Sequence, residues 1–165
     1  MWTVVKFDKK KVGLLKRDLE SKLGKDILIY CPKLLIQKFK NNKLINKEFD
    51  LLGDYMFCFH NKIGEEGVLE QLKFSRGLKY FLNGFIKSQK EISYFINKCK
   101  EIEDDNGYIS QPIFTTEINK FYKFSSGPFT DKVFKILQIQ KNKMNILLGN
   151  MKTTLDKKEF LFNPI

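Results

Sequence analysis

The sequence predicts an α+β fold in two parts, an α/β sandwich with an antiparallel sheet and flanking helices, followed by a small β-barrel. Strand-like and helix-like segments alternate as far as residue 103, which is typical of a sheet covered by helices. After residue 107 the helical period disappears and short strand-like segments follow. Hydrophobic residues make up 42% of the 165 residues, enough for a packed core in each part.

The first strand and helix follow from residue types. Residues 2–7 are aromatic and β-branched, which predicts a short buried strand. From Val12 to Leu23 leucine and valine recur at helical spacing, and Gly24 stands where the helix is expected to end.

The rest of the first part is predicted to contain a strand, a hairpin, a strand, a short helix, a strand and a longer helix. Their expected ranges are 26–31, 33–49, 54–60, 66–74, 78–82 and 89–103. Asn41-Asn42 is the predicted hairpin tip, because asparagine tolerates the positive φ of tight turns. Residues 88–91 form a capping box, with serine first and glutamate fourth, which predicts where the last helix begins.

The C-terminal part is predicted to contain strands at 121–124, 133–139 and 144–148. Turn-forming residues separate them, Ser125-Ser-Gly-Pro128 in the first gap and Lys141-Asn-Lys143 in the second.

Charge divides the chain in the same way. The 30 basic and 19 acidic residues give a net charge of +11, which indicates a polyanionic partner, with nucleic acid ranked above an anionic membrane surface. Residues 101–116 contain four acidic residues and no basic ones, whereas the segments on both sides are basic. This acidic break predicts a linker between two domains.

Several classes of function are set aside. Three cysteines without paired spacing favour neither a disulfide framework nor a zinc site. No apolar run approaches the length of about 20 residues that a membrane span needs, and no signal peptide pattern is present, so a cytoplasmic location without membrane association is expected. Cys58 and His60 share a strand face, but no third ligand or orienting carboxylate accompanies them. We therefore expect no catalytic residues, no metal, no cofactor and no enzymatic activity.

Four segments resemble the NusG family of transcription elongation factors. Phe124-Ser-Ser-Gly-Pro-Phe129 is similar to the turn between the first two strands of the family's KOW domain. Trp2-Thr-Val-Val5 and Leu51-Leu-Gly-Asp-Tyr-Met-Phe57 resemble strands of its N-terminal NGN domain. Ser75-Arg-Gly-Leu-Lys-Tyr-Phe81 is closer to the specialised RfaH branch, whose stretch reads Thr-Arg-Gly-Val.

The resemblance implies an NGN domain at 1–103, a linker at 104–116 and an SH3-like KOW barrel at 117–165. Three positions depart from the family pattern. Gly53-Asp54 replaces Pro-Gly or Pro-Asn, and Phe134 and Asn119 each replace a common glycine. These departures favour a divergent paralogue. The resemblance also leaves open a helical form of residues 133–148, as in RfaH.

The site residues implied by the resemblance fall into three groups. Residues expected to contact the clamp helices of RNA polymerase are Leu52, Tyr55, Phe57 and Phe81, with packing in the protein's own core as the alternative. Residues expected to face the non-template DNA of the transcription bubble are Lys9, Lys10, Lys11, Arg17 and Arg76, with a solvated basic face as the alternative. In the barrel, Phe129 and Ile146 with their neighbours are expected to bind Rho or a small-subunit ribosomal protein.

The function implied is that of a monomeric transcription factor that binds RNA polymerase, suppresses pausing or termination, and acts on particular operons. Two alternatives stay open. One is a general elongation and termination factor of the NusG type, and the other is a KOW-containing ribosomal or RNA-binding structural protein.

Overall fold

The computed structural model describes residues 1–41, 43–110, 115–157 and 159–165. Asn42 of the predicted hairpin tip and residues 111–114 of the predicted linker lie outside the described residues. The helices are α1 (Val12–Leu23), α2 (Val68–Leu72) and α3 (Gln89–Glu101), with short 3-10 helices at Lys9–Lys11 and Asn61–Gly64.

The strands run along the whole chain. They are β1 (Trp2–Phe7), β2 (Leu28–Tyr30), β3 (Lys33–Lys40), β4 (Lys43–Asp50), β5 (Tyr55–Phe59), β6 (Leu78–Phe81), β7 (Tyr108–Ile109), β8 (Phe121–Phe124), β9 (Val133–Ile139), β10 (Lys143–Leu148), β11 (Met151–Asp156) and β12 (Phe162–Pro164). The prediction of an α+β fold is confirmed, as is the order of elements over the first hundred residues.

The packing within the chain defines two compact units. The first comprises residues 1–32 and 50–98, and the second comprises residues 33–49 and 99–165. The hairpin of β3 and β4 therefore belongs to the second unit, although it lies early in the sequence. The domain boundaries implied by the resemblance, 1–103, 104–116 and 117–165, stay a prediction.

The first unit is built on an antiparallel sheet with the strand order β2-β5-β1-β6. Leu15, Leu19 and Leu23 form the buried face of α1, as the helical spacing predicted. They share a core with residues of the two central strands, of which Val5 and Met56 are fully buried.

One prediction about the first sheet is wrong. β3 and β4 were expected to join the same antiparallel sheet as β1 and β5, but they form a separate sheet in the order β4-β3-β7. The physical reason is the parallel pairing of β3 with β7, in which Lys33 lies opposite Tyr108 and Leu34 opposite Ile109. The Tyr108 hydroxyl also donates a hydrogen bond to Glu48, which ties β7 to the hairpin.

The second unit also contains an antiparallel sheet of five strands, in the order β11-β10-β9-β8-β12. One face is buried and rich in aromatic rings, and Phe124 and Phe134 stack there with 4.2 Å between ring centroids. The predicted strands at 121–124, 133–139 and 144–148 are confirmed, so residues 133–148 form strands here and not helices. Phe134 is 1% exposed and lies in the core of this sheet.

Candidate functional sites

An open apolar groove of about 500 Å³ lies on the first unit. Its lining residues come from the sheet, the loops beside it and α3, and they are Val4, Leu52, Tyr55, Phe57, Leu82, Glu91, Ile92 and Phe95. Glu91 is the one charged side chain in this described lining. The groove can therefore take up apolar side chains of a partner while it offers a single carboxylate to a basic group.

The groove forms where the first sheet meets the start of α3. Val4 and Phe57 are register partners on β1 and β5, so their side chains lie next to each other. The Gln89 side chain fixes the start of α3 to β1, because it accepts a hydrogen bond from the Trp2 amide at 2.9 Å and donates one to the Trp2 carbonyl at 2.7 Å. Ile92 and Phe95 follow at helical spacing and supply the helical wall.

A polar cluster surrounds the hydroxyl of Tyr55. The hydroxyl groups of Tyr55 and Tyr80 lie 3.0 Å apart, and the Lys6 ammonium lies 4.9 Å from the centre of the Tyr55 ring. The hydrogen bond from Tyr80 lowers the pKa of Tyr55, while the same bond raises the pKa of Tyr80. Hydrogen bonding to Tyr55 raises the pKa of Lys6, so this lysine stays charged beside the ring.

Three of the four predicted polymerase contacts line this groove: Leu52, Tyr55 and Phe57. Phe81 packs against the core of the first unit, and the next residue, Leu82, lines the groove instead with 42% of its surface exposed. The sequence did not single out the contribution of α3. Its apolar stripe includes Ile92 and Phe95 and fits a core face equally well, so only the position of the helix identifies the groove.

Three of the predicted DNA-facing lysines form one exposed segment. Lys9, Lys10 and Lys11 make up the 3-10 helix, which begins where the Asp8 side chain accepts a hydrogen bond from the Lys10 amide. Gly77 approaches this segment closely, since a Cβ atom there would lie 2.8 Å from the Cβ of Lys11.

Arg76, in the turn before Gly77, is held by Asp18 of α1. The guanidinium Nη2 and Nε donate to the carboxylate oxygens at 2.6 and 3.0 Å, and the Arg76 amide donates to the same carboxylate at 2.8 Å. These bonds keep the pKa of Asp18 far below its usual range and raise that of Arg76. The side chain is 62% exposed, but the edge that carries these donors is already occupied.

The remaining basic residue of this group, Arg17, lies exposed on the outer side of α1. Of the three lysines, Lys9 forms an ion pair of 3.0 Å with Asp50. The structure thus brings the 3-10 helix and the turn at Arg76 together and offers Lys10 and Lys11 to solvent. Phe74, next to this turn, is 86% exposed and was not noticed in the sequence.

The two residues predicted to contact a partner in the second unit lie at different depths. Ile146 is fully buried in the core of the five-stranded sheet, so a partner can be reached only through its neighbours. Phe129 is half-buried and packs against Phe124 and Phe160, with ring centroids 5.7 and 6.2 Å away.

Cys58 is buried in the core of the first unit, and both ring nitrogens of His60 form hydrogen bonds within the protein. Burial raises the pKa of the Cys58 thiol to about 12, so the thiol is neutral and a poor nucleophile near pH 7. His60 accepts a hydrogen bond from the Lys62 amide at Nδ1, which leaves Nε2 to donate to Asp26 at 3.1 Å. The expectation that no carboxylate accompanies His60 is therefore wrong, because Asp26 lies 34 residues away in sequence and the fold brings it to the ring. Within the described ranges there is no group of three potential metal ligands and no helix long and apolar enough to cross a membrane.

Comparisons with known proteins give similarity at low identity. No protein-family model matches the chain, and no curated protein matches it. A crystal structure of the MjSpt4:Spt5 complex in conformation B is similar at 16% identity and a TM-score of 0.33, and the match covers 100% of this chain and 98% of that one. The same complex in conformation A is similar at 14% identity and a TM-score of 0.33, over 99% of each chain. A structure on domain interaction in Thermotoga maritima NusG is similar at 14% identity and a TM-score of 0.33, over 94% of this chain and 91% of that one. At such values these similarities say nothing about function.

Proposed function

We propose that this protein is a transcription elongation factor of the NusG type that binds a helix of RNA polymerase in the groove of its first unit. The observation that carries the proposal is the groove itself, an open apolar site on the surface that contains three of the four residues implicated by the sequence. Apolar grooves of this kind take up the apolar face of a helix. The resemblance names the clamp helices as the partner, and Glu91 favours a basic residue on the helix opposite it.

Binding of this kind can change transcription without any chemical step. A factor that binds one conformation of the polymerase more tightly than another shifts the population towards that conformation. If the favoured conformation is the one that resists pausing, the factor suppresses pauses and termination. The exposed lysines at residues 9–11 are proposed to contact the phosphates of the non-template strand, which would be sequence-blind and weakened by salt.

A narrower proposal is that the protein acts on particular operons. The similarity of residues 75–81 to the RfaH branch and the three departures from the family pattern support it. The second unit is proposed to recruit Rho or a small-subunit ribosomal protein, and so to raise its concentration near the polymerase.

The groove is tested by the substitution Leu82→Asp. Leu82 is 42% exposed and lines the groove, so a carboxylate there should leave the fold intact but place a charge against the partner's apolar face. Loss of one apolar anchor is worth about 1.5–3 kcal/mol, so affinity for the cognate core polymerase should fall by at least tenfold. Pause escape in single-round transcription should slow in parallel.

Ile86→Asp is the matched control, because Ile86 is an exposed aliphatic residue at 63% and does not line the groove. Equal affinity of both variants and the unchanged protein for the polymerase would refute the groove as the binding site. A set of templates then separates the two modes of action. Faster escape on one template supports an operon-specific factor, and faster escape on all of them supports a general one.

A further inference from the structure

The five-stranded sheet of the second unit has an outward face that contains neither Phe129 nor Ile146, the two residues predicted to contact a protein partner. The buried face of β8–β11 contains Tyr122, Phe124, Phe134 and Ile136, and the alternation along each strand places the residues between them outward. We call the outward residues the outer face, and they are Phe121, Lys123, Val133, Lys135, Leu137, Gln138, Lys143, Asn145, Leu147, Lys152, Thr154 and Asp156.

A row of four side chains crosses the outer face. Phe121 is the register partner of Lys135, Lys135 of Leu147, and Leu147 of Lys152, so one position from each of four strands lines up. Phe121 is 54% exposed, and the Lys135 ammonium lies 5.9 Å from the centre of its ring. The row therefore combines an accessible aromatic ring with two lysines spread across the sheet.

Beside this row lies a second one made of polar side chains. The Asn145 amide donates to the Gln138 side-chain oxygen at 2.9 Å, and the Thr154 hydroxyl donates to the Asn145 oxygen at 2.8 Å. The irregularity of pairing between Asn145 and Ile146 brings Gln138 into this row. A shallow cleft of about 530 Å³ runs along it, with Lys152 among its lining residues.

The charge of the outer face is positive. It contains four lysines and one carboxylate, that of Asp156, whose register partner is Lys143. The nearby carboxylate of Asp131 lies 2.9 Å from Lys123 and offsets the charge of that lysine. Lys135 and Lys152 add positive charge at the row that holds Phe121.

We propose that the outer face binds single-stranded nucleic acid, with one base stacked on Phe121 and the backbone phosphates held by Lys135 and Lys152. An exposed ring beside lysines matches the chemistry of single-strand binding, because every unpaired base offers a π-face and every nucleotide a phosphate. In a duplex the base faces are covered by their neighbours, so a double helix cannot use Phe121. The row of Gln138, Asn145 and Thr154 supplies hydrogen-bonding groups for a base edge or a ribose hydroxyl in the adjoining cleft.

Fluorescence anisotropy with the full-length protein and labelled oligo(U) or oligo(dT) of about twelve nucleotides tests the proposal, since that length is within the span of one small β domain. Phe121→Ala should weaken binding by roughly five- to a hundredfold, the range measured when a stacking ring is removed. Lys135→Gln combined with Lys152→Gln should lower the slope of log affinity against log salt by about 1.4, or about 0.7 for each phosphate that a lysine no longer neutralises.

Two controls separate this surface from general attraction to a basic protein. Tyr94→Ala removes another exposed ring, 72% exposed on α3, and Lys87→Gln removes an exposed lysine of the first unit. Both should leave the affinity for oligonucleotides unchanged. Circular dichroism of each variant checks that the fold is kept.

The outcomes are distinct. The proposal is overturned if Phe121→Ala binds the oligonucleotides with unchanged affinity. It is also overturned if an unlabelled duplex competes as well as an unlabelled single strand, because only attraction between charges would then explain the binding. Preference for oligo(U) over oligo(dT) identifies RNA as the ligand, and the reverse identifies DNA. Phe121→Ala should bind RNA polymerase as the unchanged protein does, so failure here and failure of the groove are recognised separately.

Discussion

Replacing Phe134 with alanine tests how the second unit is held together. Phe134 is 1% exposed and lies on the middle strand of the five-stranded sheet. Its ring stacks on Phe124 at 4.2 Å and meets the edge of Phe162 at 5.3 Å and the ring of Tyr122 at 5.9 Å. The substitution removes these aromatic interactions and leaves a cavity.

The expected destabilisation can be worked out from this packing. Truncation of a buried phenylalanine to alanine costs about 3–5 kcal/mol, which includes the lost burial and the cavity. Aromatic pairs contribute about 0.5–1.5 kcal/mol beyond burial, and the rings around Phe134 place it in the upper part of the range. We therefore expect the free energy of unfolding of the second unit to fall by about 4–5 kcal/mol. Phe134→Leu keeps most of the volume and should cost about 1.5 kcal/mol.

The assay must report on the second unit. The single tryptophan, Trp2, belongs to the first unit, so its fluorescence follows that unit during denaturation. Amide hydrogen exchange of β9 and β10, followed with and without low concentrations of urea, reports the opening of the second unit. Exchange of these amides should accelerate strongly in Phe134→Ala and moderately in Phe134→Leu.

Phe121→Ala is the matched control, because Phe121 lies on the same sheet but is 54% exposed. It should lower stability by less than about 1 kcal/mol. If Phe134→Ala and Phe121→Ala have the same small effect on exchange, Phe134 is not part of a packed core, and the ring cluster around it does not hold the unit together.

Two further predictions concern the basic face of the first unit. Gly77→Ala should destabilise the protein by about 1–3 kcal/mol in urea denaturation, because residue 77 has a positive φ of 83° and a Cβ atom there would lie 2.8 Å from the Cβ of Lys11. Gly53→Ala is the control, since Gly53 has a φ of 66° but no atom within 4 Å of the added Cβ. An effect of Gly77→Ala no larger than that of Gly53→Ala would contradict the close approach. Asp18→Asn should lower stability at neutral pH, since Arg76 depresses the pKa of this carboxyl below its ordinary value of 3.8 in the folded state; the stabilisation is present in full above that value and is lost as pH falls through the folded pKa. Urea midpoints of the unchanged protein and Asp18→Asn should therefore differ at pH 7 and converge in strong acid, and a constant difference at every pH would refute the pairing with Arg76.

Much of the fold could be predicted from the sequence because local patterns determine most elements. The leucines of α1 and the alternation in β9 and β10 each point to one burial pattern, and the structure has the same helix and strands. The departure at Asn119 also has a local explanation, since asparagine adopts the positive φ of 65° that the common glycine would supply.

The misplaced hairpin shows what local patterns cannot give. The ranges of β3 and β4 were predicted correctly, but their partner β7 is only two residues long, too short for any alternation to be visible. Pairing between residues 33 and 108 depends on contacts far apart in sequence. β11 and β12 were missed for a related reason, because the burial of β11 is irregular and β12 is three residues long.

The sites depend on position as well as on residue type. The sequence analysis placed Arg76 among the residues expected to face DNA, and only the structure shows that Asp18 occupies its donors. The sequence did not identify Phe121 as an exposed binding residue, since an aromatic residue in a strand usually lies in the core. Its exposure becomes evident only from its neighbours Tyr122 and Phe124, which face inward.

The groove itself gives an argument for a ligand that does not depend on any resemblance. A folded chain gains free energy by covering apolar surface, at about 25 cal/mol for each Å². Leu52 and Leu82 line the groove and are partly exposed. Their side chains do not fill the space between the sheet and α3, which stays open to solvent. A larger side chain at position 82 that closes the groove, as in Leu82→Trp, should then raise the stability of the free protein while it weakens binding to the polymerase. Opposite signs of these two effects are expected only if the open groove serves binding, whereas a gain in stability with unchanged binding would assign the groove to imperfect packing alone.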